Sequence, residues 1–373
     1  MKKADTLFLL LKAELWQQSL PPGARLERGS YRELMDMAQM QTVDGLLGAS
    51  LMNQNVRLDK YDLAETMMRT GSIGEQNSLM NKEMGALCTL LTRHHIKFFI
   101  VKGQTIAARY PHPENRVSGD IDFYCYPDDF DRCKAIIQDN WQVSIEMDEE
   151  EDEQHLHFDH NEVTYEMHFC LMKFSSRRNQ SRFDEMIAQA TLEHIDIEGV
   201  SVPVLPRSLN ILYTFLHLYH HLIELGVGLR QFCDVTILLY HAAHDEECKD
   251  LLRRQLRKLG FTKAFAAIQA VLVDKLGLPQ EAMVLPLSKR ARKYEERILG
   301  IVFTRGNFGK YGRQTAVRSG WKYNLEAFSL KINHYLSMFW LAPWENAAAL
   351  FKSLPAKIVK MAVRKSEYSS VSV

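Results

Sequence analysis

The residues of this chain best placed to do chemistry are two acids one residue apart, Asp120 and Asp122. Ile121, Phe123 and Cys125 alternate with Asp120, Asp122 and Tyr124. Strand alternation puts both carboxylates on one face, about 7 Å apart along the chain. Two acids on one sheet face are costly without a cation, and carboxylate oxygens at this spacing suit Mg²⁺ better than zinc. A third acid is therefore expected on a neighbouring strand. Residues 162–169 alternate as a strand should, which sets Glu166 in line with Thr164 and His168.

The elements that position these acids lie on both sides of them. Residues 97–101 form a short apolar run, read as a buried strand that enters a turn at Gly103. Residues 105–110 suit one or two helical turns, stopped by Pro111. After the Asp-Ile-Asp strand, Pro127, Asp128 and Asp129 open a helix expected over 127–140. Residues 141–147 alternate as another strand, and the acidic run 148–153 reads as a solvated loop. A hairpin over 155–158 and 162–169 then turns around Asp159, His160 and Asn161.

The flanks read as helical. Before the first strand, periodic segments cover 7–17, 31–48 and 63–92, with Gly71, Gly74 and Gly85 as breaks in the last. Beyond residue 180 come a short helix at 182–190 and a hairpin or extended arm at 195–204 turning at Gly199. Helices follow at 208–225, 229–243, 246–259, 261–276 and 289–299. Residues 305–321 are a Gly- and Arg-rich loop, with helices at 325–340 and 343–363. The expected division is an N-terminal helical region (1–95), an α/β core (96–172), a helical domain packed on it (173–300) and a basic C-terminal part (301–373).

Composition bounds the partners. At 373 residues and 46% hydrophobic content the chain can bury a large core. Lys plus Arg equals Asp plus Glu, 46 each, so no global field points to a nucleic acid or a membrane. The six cysteines include no Cys-x-x-Cys pair, which argues against a zinc ribbon and makes a reducing, cytoplasmic compartment the simpler expectation. The N-terminal apolar run is short and interrupted by Lys12 and Glu14, so it reads as an amphipathic helix, not a signal segment. No stretch reaches the roughly 18 apolar residues of a spanning helix. A soluble protein is expected.

Strand, glycine turn, short helix, Asp-x-Asp strand, helix, then a strand with one more acid is the order used by polymerase-β-like nucleotidyltransferases. The chain resembles that superfamily. More narrowly, Lys102-Gly103, then Arg116 and Asp120-Ile121-Asp122, then Glu166-x-His168 resemble its uncharacterised Lys-Gly branch. The resemblance implies an α+β fold, a mixed sheet with flanking helices between an N-terminal helical region and a C-terminal helical bundle. It also implies transfer of NMP from an NTP to an acceptor hydroxyl with release of pyrophosphate. The acceptor would be a small molecule, RNA or a protein. Asp120, Asp122 and Glu166 are then the catalytic and metal-holding residues, with Mg²⁺ or Mn²⁺ as cofactor. Lys102, Gly103, Gln104, Arg116 and Ser118 are the nucleotide-binding candidates, Gly103 letting backbone amides approach a triphosphate. Lys102 has a second option, a salt bridge to one of the acids. The different-class alternative is a catalytically inactive nucleotide- or partner-binding protein on the same fold, of a toxin–antitoxin-like or surface-polysaccharide system.

Further residues could serve the acceptor side. A two-residue turn at His160-Asn161 sets His155 across from Glu166, and His168 lies on the same strand face. Imidazoles and a carboxylate could hold zinc there, but orienting the acceptor is the stronger expectation. In the helical domain, Arg230 and Asp234 stand four apart and can pair on one helix face, as His217 and His221 can. The C-terminal Lys352, Lys357, Lys360, Arg364 and Lys365 form an amphipathic basic segment that could lie on an anionic membrane surface or touch RNA, but packing on the body with its basic face in water is the stronger expectation.

Overall fold

The computed structural model describes residues 2–21, 29–54, 56–145, 155–224, 226–306, 329, 332–333 and 335–353. Four helices precede the sheet: α1 (Lys2–Trp16), α2 (Tyr31–Met40), α3 (Asp44–Asn53) and α4 (Lys60–Arg93). The core runs β1 (Phe98–Val101), α5 (Gly103–Ala107), β2 (Asp120–Cys125), α6 (Phe130–Trp141), β3 (His155–His160) and β4 (Val163–His168). Then come α7 (Arg177–Ala188), β5 (Glu193–Ile197), β6 (Val200–Val204), α8 (Arg207–Glu224), α9 (Leu229–His241), α10 (Glu246–Leu259) and α11 (Thr262–Leu276). Two further helices, α12 (Lys289–Arg292) and α13 (Glu295–Arg305), lead to a short helix at Pro343–Ala348. The fold is α+β.

The six strands form one mixed sheet in the order β3-β4-β2-β1-β6-β5. β2 runs parallel to β4 and antiparallel to β1, while β6 lies parallel to β1. Alternation sorts the side chains as expected. Ile121, Phe123 and Cys125 on β2 and Val163, Tyr165 and Met167 on β4 bury against α4 and α6. Asp120, Asp122, Glu166 and His168 therefore take the opposite face. The β5–β6 hairpin, expected as an arm beyond the core, adds two strands beside β1, so the sheet runs past residue 172.

Several local readings change. Gly71, Gly74 and Gly85 lie inside the unbroken 34-residue α4, because an interior glycine costs only about 1 kcal/mol and the packed face of α4 outweighs that. Residues 31–48 split into two helices at Thr42, whose φ is +52°. The expected strand at 141–147 is absent where it is described. Trp141 ends α6, Gln142 takes a left-handed φ of +54° that terminates the helix, and 142–145 pair with no strand. Trp141 instead stacks on His160, ring centroids 4.3 Å apart. The acidic run 148–153, most of the 305–321 loop and the basic segment beyond Ser353 lie outside the described residues.

Two contacts hold the strand that carries Glu166. The β3–β4 turn is Asn161-Glu162, with φ of +48° and +64°, the two positive values of a tight hairpin turn. Glu83 of α4 anchors that turn, accepting from Asn161 Nδ2 at 3.0 Å and Tyr165 Oη at 3.1 Å, with His160 Nδ1 at 2.7 Å. Burial opposes its charge, but these partners hold the Glu83 carboxyl below its usual range.

Candidate active site

The parallel pairing of β2 with β4 sets Asp122 beside Glu166 and Asp120 beside Thr164. One carboxylate oxygen from each of Asp120, Asp122 and Glu166 lies within 4.8 Å of the others. Asp122 is buried, and the other two are partly exposed at the edge of the cluster. Like charges this close cannot all ionise freely. The Asp122 carboxylate, and then burial, push the Asp120 carboxyl up to about 6. Asp122 goes the other way: burial opposes its charge, yet Lys102 and His168 hold it well below the usual carboxylate range.

Both partners converge on one oxygen. Lys102 Nζ and His168 Nε2 each stand 2.8 Å from Asp122 Oδ1. Lys102 thus makes the salt bridge that the sequence offered as its second option. Burial disfavours the imidazolium of His168, but its bonds to Asp122 and Glu166 outweigh this and raise its pKa. His168 Nε2 is 3.4 Å from Glu166 Oε2, and its Nδ1 has no hydrogen-bond partner. Opposite Glu166 in the hairpin stands His157, one register step from the expected His155, because the turn is Asn161-Glu162. His155 still reaches Glu166 from across His168, Nε2 to Oε1 at 3.8 Å.

The turn after β1 brings Lys102 to this point. Lys102 has φ +54° and ψ −146°, a conformation that costs a residue with a side chain about 1–3 kcal/mol. Gly103 follows at φ +44°, where an added Cβ would stand 3.4 Å from the Asp120 carbonyl. The Lys102 ammonium also lies 5.8 Å from the ring centroid of Tyr213 on α8. Below it on α8 are His217 and His221. Burial and Lys102 keep His217 well below its usual pKa, and burial with His220 drops His221 to about 3.

The other expected nucleotide contacts, Arg116, Ser118 and Gln104, bond to protein groups. Arg116 grips Asp234 of α9 with a two-pronged bond, Nε and Nη2 each 2.8 Å from a carboxylate oxygen. Its Nη1 donates to Ser118 Oγ at 3.0 Å. Tyr110 Oη donates to Asp234 Oδ1 at 2.7 Å. Asp234 thus pairs with Arg116 and not with Arg230, whose Nη1 donates to the Val117 carbonyl at 2.9 Å. Gln104 is buried and donates to Asn81 Oδ1 at 2.7 Å and the Asn77 carbonyl at 3.2 Å on α4. The loop carrying Arg116 passes so close to α3 that a Cβ on Gly45 would fall 2.3 Å from the Asn115 carbonyl. Tyr110 and Tyr213 were missed from sequence. Only Tyr213 had a signal, its four-residue spacing from His217 and His221 along one helix face.

The donor set fits a divalent cation. Three carboxylates gather at a sheet edge, and their repulsion is what raises Asp120; hard oxygen ligands of this kind suit Mg²⁺ or Mn²⁺. A mixed sheet bearing two acids on one strand and a third on its parallel neighbour is a nucleotidyltransferase core. The profile of a family described as uncharacterised nucleotidyltransferases matches residues 29–275, more than half of the chain, and the chain belongs to that family. Among solved structures, one titled an antigenic nucleotidyltransferase-like protein from Paracoccidioides brasiliensis is similar at 14% identity and a TM-score of 0.34. That likeness covers 53% of this chain and 92% of the other. No curated protein matches.

Proposed function

We propose that this protein transfers an NMP group from an NTP to a hydroxyl of a small molecule, an RNA or a protein. The acceptor oxygen bonds to the α-phosphorus, the bond to the β-phosphate oxygen breaks, and pyrophosphate leaves. The observation that carries the reading is the meeting of Asp120, Asp122 and Glu166 across the β2–β4 register. These residues would hold Mg²⁺ or Mn²⁺, which when bound lowers the acceptor's pKa and offsets charge on the leaving oxygens. Glu166, with His155 beside it, stands on the acceptor side and receives the hydroxyl proton. Lys102 leaves Asp122 to meet the phosphates, and the Gly103 turn admits them to the backbone. Arg116 and Asp234 act at one remove, by fixing the loop that leads into β2.

One observation favours the second reading, a catalytically inactive nucleotide- or partner-binding protein: Lys102 already neutralises Asp122. Incubation with each α-labelled NTP and Mg²⁺ or Mn²⁺ separates the two. Label on the protein, on RNA or on a small acceptor supports transfer, and its loss in Glu166→Gln ties it to this site. Label nowhere, with metal-dependent NTP binding also absent, would overturn the reading. All six cysteines are unpaired, which supports a cytoplasmic setting. No helix among the described residues is long and apolar enough to cross a membrane.

A further inference from the structure

A second site lies apart from the acids. A cavity of about 660 Å³ opens between the start of α7, the end of α10 and the C-terminal helical segment. Its cations come from all three: Arg178 and Arg182, Arg257 and Lys258, and Lys352. Among the described residues, only Lys258 of these meets an acid, Glu185 at 3.0 Å. Trp344 and Phe351 line the same cavity and are 80% and 78% exposed. Chain-wide neutrality makes this local excess of positive charge stand out.

The placement of the arginines is unfavourable for the fold alone. A helix N-terminus carries partial positive charge and prefers acids. The first turn of α7 has none and carries Arg177 and Arg178 instead. Arg178 and Arg182 are like charges four apart, a further small cost. The start of α7 is itself closed to anions, because Glu345 accepts from the Ser175 and Ser176 amides and from Asn179 Nδ2. That contact seats the C-terminal segment and brings Trp344 to the end of α10, its Cδ1 4.0 Å from where a Gly260 Cβ would be. Arg182 joins the walls by donating to the Lys258 carbonyl.

We propose that this cavity binds single-stranded RNA, with phosphates on Arg178, Arg182 and Arg257 and a base stacked on Trp344. Cations that track a backbone beside an aromatic platform are what unpaired nucleic acid requires. A hollow admits an unstacked base, whereas a duplex keeps its bases inside and a membrane presents a flat surface.

The test is fluorescence anisotropy with a labelled mixed-sequence oligoribonucleotide of about 12 nucleotides. Arg178→Ala combined with Arg257→Ala should weaken binding at least about tenfold and reduce the slope of log affinity against log salt by about 1.4. Trp344→Ala should weaken it about tenfold without changing that slope. All three side chains are exposed, so the thermal midpoints and metal-dependent NTP binding should match wild type. Unchanged affinity and slope in the arginine variant overturns the proposal. So does equal competition by a free mononucleotide, or binding to anionic phospholipid vesicles in place of the strand. RNA binding retained without any label transfer counts against the transfer reading alone.

Discussion

Asp122 and Asp234 are both almost fully buried, at 2% and 4% exposure, and each is paired with a cation. They differ in what surrounds the pair. Both oxygens of Asp234 are occupied by the Arg116 fork, Tyr110 adds a third bond, and among the described residues Arg116 forms an ion pair with no other acid. Asp122 carries Lys102 and His168 on one oxygen, and two more carboxylates crowd beside it. The first cluster pairs its charges within the fold and joins α9 to the loop before β2. The second has negative charge left over, which a proton on Asp120 or an added cation would balance. The difference teaches that burial and a salt bridge do not mark function; an unbalanced sum of charges does.

The largest effect that would break this contrast is on transfer. Asp122→Asn should reduce label transfer by more than about 100-fold, beyond the roughly 10–100-fold lost at residues one step removed from a metal. A variant near wild-type activity would put Asp122 in the same structural class as Asp234. Next comes stability. Asp234→Ala leaves Arg116 buried and unpaired, which should cost about 3–5 kcal/mol by denaturant unfolding, with transfer per folded molecule little changed. A cost under about 1 kcal/mol would show that the closed cluster is not architectural.

A smaller effect concerns pH. His221 is neutral in the fold, with a pKa dropped to about 3 by burial and His220, against 6.5 for an unperturbed histidine. Because the folded value is depressed, its contribution is intact above 6.5 and is lost as pH falls below it, when the unfolded chain takes up the proton. Between pH 6.5 and 5.0 that amounts to about 2 kcal/mol. His168 works in the opposite sense, since its raised pKa favours the fold at low pH. Comparing wild type with His221→Gln isolates the first contribution: the variant should lose less stability on acidification. Equal losses would mean that His221 is charged in the fold. The smallest expected effect on stability is that of chelation, which should stop transfer and lower the unfolding midpoint only by the mass-action contribution of the lost ion. Loss of the folded state on chelation would show that the acids rely on metal for folding.

Much of the open cluster was legible because strand alternation is a local rule. Asp120, Asp122 and Glu166 share a face for the same reason that Ile121, Phe123 and Tyr165 share the other. The helices around them were legible from apolar periodicity, with α10 recovered at both ends. What could not be read were partnerships across long stretches of chain. Arg116 and Asp234 are 118 residues apart, and nothing in either segment names the other. Arg230 offered a nearer partner at helical spacing, and tertiary contact overrode it. The strand expected at 141–147 failed for a related reason: the alternation was present, but α6 extends through Trp141, whose ring packs on His160. The cavity between α7 and α10 was equally hidden, since its cations sit in three separate segments that look like ordinary solvated faces.

Lys102 has one more consequence. An ammonium tethered to the chain is present beside Asp122 at a fixed effective concentration, whatever the buffer contains. An entering ion competes with it, so the apparent dissociation constant is the intrinsic one divided by the fraction of molecules in which the lysine has swung clear. If the acids hold a divalent ion, such a site would fill when the free ion is abundant and empty, still folded, when it is scarce.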